Sequence, residues 1–204
     1  MSGRLFLLLI LALSLCANEQ KSEVFVYDCS DNYHFVAEVT DKSAWLFLPS
    51  ETLQAKKVEG SNPIVYTKGA ISYSLQGYKA SIVLKNRNFT CQNDGIAATF
   101  EKAKLSGVAF RAIGNEPGWI LEVTSDTEVV LITNLGESTT AFEVVEKFSD
   151  GYSMEYKMKS THNTLFVRIE SRVCKDTMVD REYESTVYIN FDGVNMQGCG
   201  KPLY

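Results

Sequence analysis

This sequence contains little histidine and no Cys-x-x-Cys motif, which restricts the chemistry that it can support. Its two histidines, His34 and His162, are isolated in the chain. A structural zinc site needs clustered Cys and His ligands, and Ser-His-Asp or Cys-His catalysis needs a histidine beside the nucleophile. The sequence therefore predicts no metal, no cofactor and no enzyme activity.

An excess of basic residues is also missing. The formal net charge is −5. Residues 24–95 carry seven acidic and seven basic side chains, whereas residues 108–204 carry fifteen acidic and nine basic ones, a net charge of −6. Nucleic-acid-binding domains present a basic patch or stripe, so the sequence argues against a nucleic-acid partner. We interpret the acidic surplus of the second half as a solvated surface.

Long apolar runs are confined to the N-terminus. An apolar stretch of eleven residues, 5–15, follows the single charge of Arg4. This stretch is shorter than the roughly 20 helical residues that span a bilayer, and it is typical of a secretory signal. We therefore expect a signal peptide at residues 1–15, a lipidated tether at residues 16–23, and no membrane-spanning helix later in the chain.

The end of this leader, LSLC followed by Ala17, is similar to the cleavage box of bacterial lipoproteins. Leu15 departs from the small residue that usually precedes the cysteine of that box. The resemblance implies that Cys16 is acylated and anchors the protein to a membrane. Because Ala17 rather than Asp follows Cys16, it also implies the periplasmic face of the outer membrane. The alternative is an ordinary signal cleaved near Ala17, with Cys16 unmodified.

The chain has five cysteines, an odd number for an exported protein. Acylation of Cys16 removes one of them and leaves two pairs. The long interval between the third and fourth cysteines divides the chain into two halves. We therefore predict one disulfide in each half, each stabilising the fold by roughly 3–4 kcal/mol in the loop-entropy model. The predicted pairs are Cys29–Cys91 and Cys174–Cys199.

Proline is scarce, with 4 residues in the chain, and β-branched and aromatic residues are plentiful. Apolar residues alternate with polar ones in many short segments, which predicts strands. In the first half the predicted strands are residues 23–29, 34–40, 43–49, 63–69, 70–76 and 78–84. In the second half they are residues 108–114, 118–124, 128–134, 141–147, 152–158, 165–171, 185–191 and 194–200.

These patterns predict an all-β protein with two small antiparallel β domains, at residues 24–95 and 108–204. Residues 96–107 interrupt the strand pattern with one short helix-compatible stretch, and we interpret them as a linker. Asp-Gly pairs at residues 150–151 and 192–193 are typical of tight hairpins.

Residues 24–95 resemble the membrane-bound lysozyme inhibitor family that acts on c-type lysozyme. The resemblance is carried by Tyr27-Asp28-Cys29, by Tyr66-Thr67-Lys68-Gly69, by Gly77 with Ala80, and by the closing Cys91. It implies an eight-stranded antiparallel barrel closed by a disulfide. It also implies that c-type lysozyme is the partner and that its active-site cleft is occluded.

In this family a serine-containing loop and a lysine-containing strand approach the two catalytic carboxylates of lysozyme. The resemblance therefore implies a lysozyme-binding set in the first half, which consists of Ser61, Asn62, Tyr66, Lys68 and Gln76. Tyr66 as a core residue, and Gln76-Gly77 as a plain turn, are the alternatives.

The sequence departs from the family pattern where charge matters. Gln76 stands at the family's lysine position, Ser74 at its tryptophan position, and Asn62 at its serine position. A glutamine can donate a hydrogen bond to a carboxylate but cannot neutralise it. Lys68 or Lys79 could supply the missing cation.

The second half resembles a family of uncharacterised bacterial envelope domains. The resemblance is carried by residues 110–123 (FRAIGNEPGWILEV), 174–183 (CKDTMVDREY) and 193–200 (GVNMQGCG). Three carboxylates lie in these motifs, Glu116, Asp176 and Asp180, and paired carboxylates can act as acid and base. We favour structural roles for them, in a turn and in a loop held by the disulfide.

Three hypotheses for function follow from these observations. The first is a lipid-anchored inhibitor of c-type lysozyme. The second is a non-enzymatic binding or structural envelope lipoprotein that has lost lysozyme binding. The third is a carrier of a small ligand, because small barrels can hold one ligand; a barrel interior crowded with aromatic residues would argue against it.

Overall fold

The structure is a computed structural model that describes residues 21–125 and 127–204. Within these residues the chain forms two closed antiparallel barrels of eight strands each, connected by an α-helix. The predicted all-β fold with two small β domains is therefore confirmed. The predicted signal peptide, Cys16 and most of the tether lie outside the described residues.

The first barrel has an up-and-down topology in which each strand pairs with the next and β8 closes on β1. Its strands are β1 (Glu23–Cys29), β2 (His34–Val39), β3 (Ser43–Phe47), β4 (Thr52–Val58), β5 (Ile64–Lys68), β6 (Ile71–Gln76), β7 (Lys79–Leu84) and β8 (Arg87–Asn93). The sequence pattern predicts six of these strands and misses β4 and β8. The missed strands bury Leu53 and Ala55 in β4 and Phe89 and Cys91 in β8, and most of their other residues are polar.

Aromatic rings fill the first barrel. Tyr27, Phe35 and Tyr73 pack against one another with ring centroids 5.0–6.0 Å apart, and the Tyr27 and Tyr73 hydroxyls are 2.8 Å apart. Burial raises the pKa of Tyr27 to about 12, although the hydrogen bond with Tyr73 acts in the opposite direction. The Cys29–Cys91 disulfide lies at the seam between β1 and β8, as predicted.

The second barrel has the same up-and-down order, interrupted by one excursion before its last two strands. Its strands are β9 (Phe110–Asn115), β10 (Gly118–Ser125), β11 (Glu128–Thr133), β12 (Ser138–Ser149), β13 (Ser153–Lys159), β14 (Thr164–Glu170), β17 (Ser185–Phe191) and β18 (Val194–Pro202). All eight strands predicted in this half are confirmed. The β17–β18 hairpin turns at Asp192 (φ 48°) and Gly193 (φ 90°), the pair of positive φ angles that an Asp-Gly hairpin needs.

The excursion is a small hairpin of β15 (Cys174–Asp176) and β16 (Arg181–Tyr183), which forms its own two-stranded sheet. The predicted Cys174–Cys199 disulfide joins this hairpin to β18 and is also confirmed. The bond ties the hairpin to the barrel, since the hairpin shares no strand pairing with it.

The segment predicted as a linker, residues 96–107, contains most of helix α1 (Gly95–Leu105). Asp94 caps the start of the helix, and its side chain accepts a hydrogen bond from the Ala97 N–H. Its Phe100 is 3% exposed and belongs to a core cluster with Tyr183 and Leu203 of the second half. The helix also contacts β1 of the first barrel. The segment is therefore an ordered element that packs against both halves.

Candidate functional site

Two segments of the first barrel that carry predicted site residues meet at one end of the barrel. The β4–β5 loop leads into Ile64, and Ile64 pairs with Leu75, which leads into the β6–β7 turn. We call residues 59–63 and 76–79 together the loop end of the first barrel. Asn62 and Gln76, which come from different segments, thus lie at the same end.

The Ser61 hydroxyl holds the β4–β5 loop in shape. Its Oγ donates to the Val58 carbonyl at 2.8 Å and accepts from the Val65 N–H at 3.0 Å. Asn62 is exposed and precedes Pro63. Of these two candidates for the family's serine, Asn62 presents its side chain to solvent, whereas the Ser61 hydroxyl is engaged within the loop.

The β6–β7 turn presents a cation beside Gln76. Gln76 pairs directly across the turn with Lys79, and both side chains are exposed. Gly77 at the corner has φ 60°, and Tyr78 is 74% exposed. The alternative interpretation of Gln76-Gly77 as a tight turn is therefore correct for the backbone. The turn nevertheless carries an ammonium group beside the position where the family has its lysine.

Tyr66 is not part of the loop end of the first barrel. Its side chain is 2% exposed, stacks on Tyr73, and donates a hydrogen bond to the Thr40 carbonyl at 3.0 Å. Burial raises the pKa of its hydroxyl, and the nearby carboxylates of Asp41 and Glu23 act in the same direction. Tyr66 is a core residue because strand alternation on β5 directs it into the barrel, and we do not retain it as a contact residue.

Lys68 is also separated from the other predicted residues. It ends β5 and pairs with Ile71 at the β5–β6 turn. β5 runs from Ile64 to Lys68, so its two ends are about 13 Å apart at 3.3 Å per residue. Lys68 therefore lies at the opposite end of the barrel from Gln76, and of the two cations considered from the sequence only Lys79 adjoins Gln76.

A groove of about 760 Å³ runs beside the loop end. Ile64, Leu75 and Tyr78 line it on the barrel side, and Ala98 and Lys102 of α1 line it on the other. A backbone hydrogen bond of 2.9 Å from the Asn93 N–H to the Tyr78 carbonyl ties the turn to the start of the helix. The sequence pattern does not predict that α1 adds its Lys102 to this region.

The three motifs that mark the second half converge on one small pocket of about 280 Å³. The Asn115 amide donates to both carboxylate oxygens of Asp176, at 3.0 and 3.1 Å, and the Met178 N–H donates to the same group at 2.9 Å. Asp176 is 6% exposed, so these bonds stabilise a buried carboxylate. Glu116 lines the same pocket.

The third carboxylate of these motifs, Asp180, lies elsewhere. Its side chain is 84% exposed and pairs with Lys175 at 2.8 Å. The structure therefore brings Asp176 and Glu116 to one pocket, and it leaves Asp180 on the surface. The acceptor positions of Asp176 are engaged by a side-chain amide and a backbone N–H, which is consistent with the structural role that we favoured.

Glycines of the same motifs make room for the ring of Trp119. A Cβ atom at Gly114 would lie 2.2 Å from the Trp119 Nε1, and one at Gly198 would lie 2.1 Å from the Ile113 carbonyl oxygen. Real Cβ atoms do not approach this closely, so each position requires glycine. The GNEPGW and GCG motifs thus have a packing explanation that their spacing in sequence does not reveal.

Among residues 21–125 and 127–204, no helix has the length and apolar character needed to cross a membrane. In the same ranges, no group of three or more His, Cys, Asp or Glu side chains could hold a metal ion.

Comparisons with protein families, with curated proteins and with solved structures found no match for this chain.

Proposed function

We propose that this protein is a lipid-anchored envelope protein that inhibits c-type lysozyme by inserting the loop end of its first barrel into the active-site cleft. In this proposal Asn62, Gln76 and Lys79 contact the cleft, and Ser61 holds the loop in position. Acylated Cys16 tethers the protein to the periplasmic face of the outer membrane. The protein acts by binding and performs no catalysis of its own.

The observation that carries this proposal is the cross-strand pair of Gln76 and Lys79. The family inhibits lysozyme with a cation directed at two catalytic carboxylates. In a partly desolvated cleft, a charge-assisted contact with a carboxylate is about twice as strong as a neutral hydrogen bond. Lys79 can supply this charge from the strand opposite Gln76, while Gln76 and Asn62 donate neutral hydrogen bonds.

The matched pair of Lys79→Ala and Lys68→Ala tests this proposal. Both substitutions remove one exposed lysine from the same barrel, but the lysines lie at opposite ends. We expect Lys79→Ala to raise the inhibition constant for c-type lysozyme about tenfold, or about 1.4 kcal/mol. Lys68→Ala should leave it unchanged. Turbidity assays with the mature protein at fixed salt measure both constants.

A second function is favoured by the engagement of the Ser61 hydroxyl within its own loop and by the burial of Tyr66. These features leave fewer contact groups than the family uses. In this alternative the barrel is a binding or structural module without activity against lysozyme. An absence of inhibition by the mature protein in the same turbidity assay would support it and would refute the first proposal.

A further inference from the structure

One end of the second barrel opens into a cavity of about 390 Å³. The cavity is bordered by the start of β9, the end of β10, the end of β14 and the start of β17. We call it the mouth of the second barrel. It lies at the opposite end of β9 from Asn115, and so at the opposite end of the barrel from the pocket of the three motifs.

The inner wall of the mouth is apolar. Phe110, Val123, Met154, Tyr156 and Ile169 line it. Below them the barrel is filled, since Leu121, Val167 and Val187 are each 0% exposed. A ligand can therefore enter only the end of the barrel, and the space accepts a short apolar group rather than a long chain.

The rim of the mouth consists largely of small hydroxyl residues. Five serines lie among the lining residues: Ser125, Ser149, Ser153, Ser171 and Ser185. On two of the strands serine takes the next position of the inward-facing residues, because side chains of one strand alternate between the two faces. The inward-facing residues of β14 and the residue after it are Val167, Ile169 and Ser171. Those of β17 are, toward the mouth, Ile189, Val187 and Ser185.

This replacement keeps the end of the barrel open. A leucine or phenylalanine in place of these serines would extend the core to the rim, as aromatic rings fill the interior of the first barrel. Serine leaves the volume free and lines it with hydroxyl groups, of which those of Ser125 and Ser153 already bond to Thr127 and Asp150. Lys147 also lines the mouth, with its Nζ 5.6 Å from the centre of the Tyr156 ring.

We propose that the mouth of the second barrel binds a single-chain amphiphile of short or medium length. The end of the acyl chain contacts the apolar wall, and a head group that accepts hydrogen bonds lies among the rim serines. The volume falls within the roughly 300–1,000 Å³ of small-molecule sites, and the mouths of β-barrels are common places for such sites. This site belongs to the second barrel and is independent of lysozyme inhibition.

Calorimetric titration of the mature protein with octanoate, below its micelle concentration, tests the proposal. We expect saturable binding of one molecule per protein. Ser171→Trp places a large ring at the exposed rim and should weaken binding at least tenfold. His162→Trp adds the same ring at an exposed position in the β13–β14 connection, away from the mouth, and should leave binding unchanged.

A second rim variant and two ligands with different head groups extend the test. Ser149→Trp obstructs the mouth from β12 and replaces Ser171→Trp if that variant fails to fold, which thermal unfolding would reveal. Monooctanoylglycerol should bind like octanoate, whereas octyltrimethylammonium, which has no hydrogen-bond acceptor in its head, should bind at least tenfold more weakly. Absence of saturable binding by the unmodified protein, or equal binding by the rim and His162 variants, would overturn the proposal.

Discussion

At the scale of single residues, charge at the loop end determines how strongly the first barrel can attract a carboxylate-lined cleft. Lys79 provides one cation, and the neutral Gln76 stands beside it on the facing strand. The Ser61 hydroxyl is already engaged by the loop. The loop end therefore carries one cation, Lys79, and one carboxylate, Glu59, and a lysine at position 76 would give it a net positive charge.

We predict that Gln76→Lys strengthens inhibition of c-type lysozyme by about 1–3 kcal/mol, because a second ammonium would face the catalytic carboxylates. The gain should fall toward the lower value, since like charges opposite each other on neighbouring strands repel. Inhibition constants at low and high salt provide the measurement, because salt screens exposed charges. Ala70→Lys, which adds the same charge at the opposite end, is the control and should have no effect.

Gly198 shows how one residue type can be required by packing. A Cβ atom there would lie 2.1 Å from the Ile113 carbonyl oxygen and 2.6 Å from the Trp119 ring. We predict that Gly198→Ala destabilises the protein by about 1–3 kcal/mol or more, because the neighbouring strand must shift. Denaturant unfolding measures this change.

Gly95→Ala is the matched control, because a Cβ atom at Gly95 meets nothing within 4 Å. Alanine in place of this helical glycine should be neutral or stabilising by up to about 1 kcal/mol. Equal destabilisation by both substitutions would contradict the packing explanation for the GCG motif.

At the scale of elements, α1 connects the two halves through its N-cap residue, Asp94. Asp94 accepts the capping hydrogen bond from Ala97 and forms an ion pair with Arg181 of β16. Burial opposes ionisation of Asp94, but the Ala97 N–H and the Arg181 guanidinium outweigh it and hold the pKa of the carboxyl below its usual value. The helix start is thus held by the second half of the chain.

We predict that the Asp94 interactions stabilise the fold at neutral pH. A folded-state pKa below the unfolded value of about 3.9 means that this contribution is complete above that value and is lost as the pH falls through the folded-state pKa. Asp94→Asn keeps a capping side chain and removes the charge. It should therefore lower the free energy of unfolding at neutral pH but not in acid, where Asp94 is itself protonated. Asp94→Ala also removes the cap and should cost about 1–2 kcal/mol more.

Urea unfolding of the three proteins at several pH values measures these differences. If Asp94→Asn were equally destabilising at neutral and acidic pH, the ion pair with Arg181 would not contribute as described.

At the scale of the whole molecule, the proposed anchor determines where both barrels act. The first described strand begins at Glu23, close to the proposed lipidation site at Cys16. The groove beside the loop end is lined by Lys21, Ser22 and Glu23 as well as by α1. Residues 21–23, the described end of the tether, and the proposed inhibitory surface therefore lie at the same end of the first barrel.

We predict that Cys16→Ser releases the protein from the membrane fraction, because the proposed lipid is attached to this sulfur. Fractionation of cells that produce each protein measures the distribution, with Cys29→Ser as a control that alters a disulfide and leaves the anchor intact. A soluble unmodified protein, or membrane-bound Cys16→Ser, would refute the lipoprotein interpretation and support cleavage near Ala17.

The sequence alone determined the fold class, because the period-two alternation of strands is a local property. With Cys16 set aside as acylated, it also predicted both disulfide pairs, and it predicted the hairpin at Asp192-Gly193. Local pattern failed at β4 and β8, where residues with low strand propensity, such as Lys56 and Lys57 in β4 and Asn88 and Asn93 in β8, accompany the few apolar ones.

Only the tertiary structure decided which predicted site residues lie together. Alternation shows which face of a strand a residue occupies, but strand pairing determines which barrel end its neighbours reach. That pairing separates Lys68 from Gln76, brings Lys79 beside Gln76, and encloses Tyr66 in the core. The contact between Asn115 and Asp176 joins residues 61 positions apart, and no local pattern specifies a contact over such a distance.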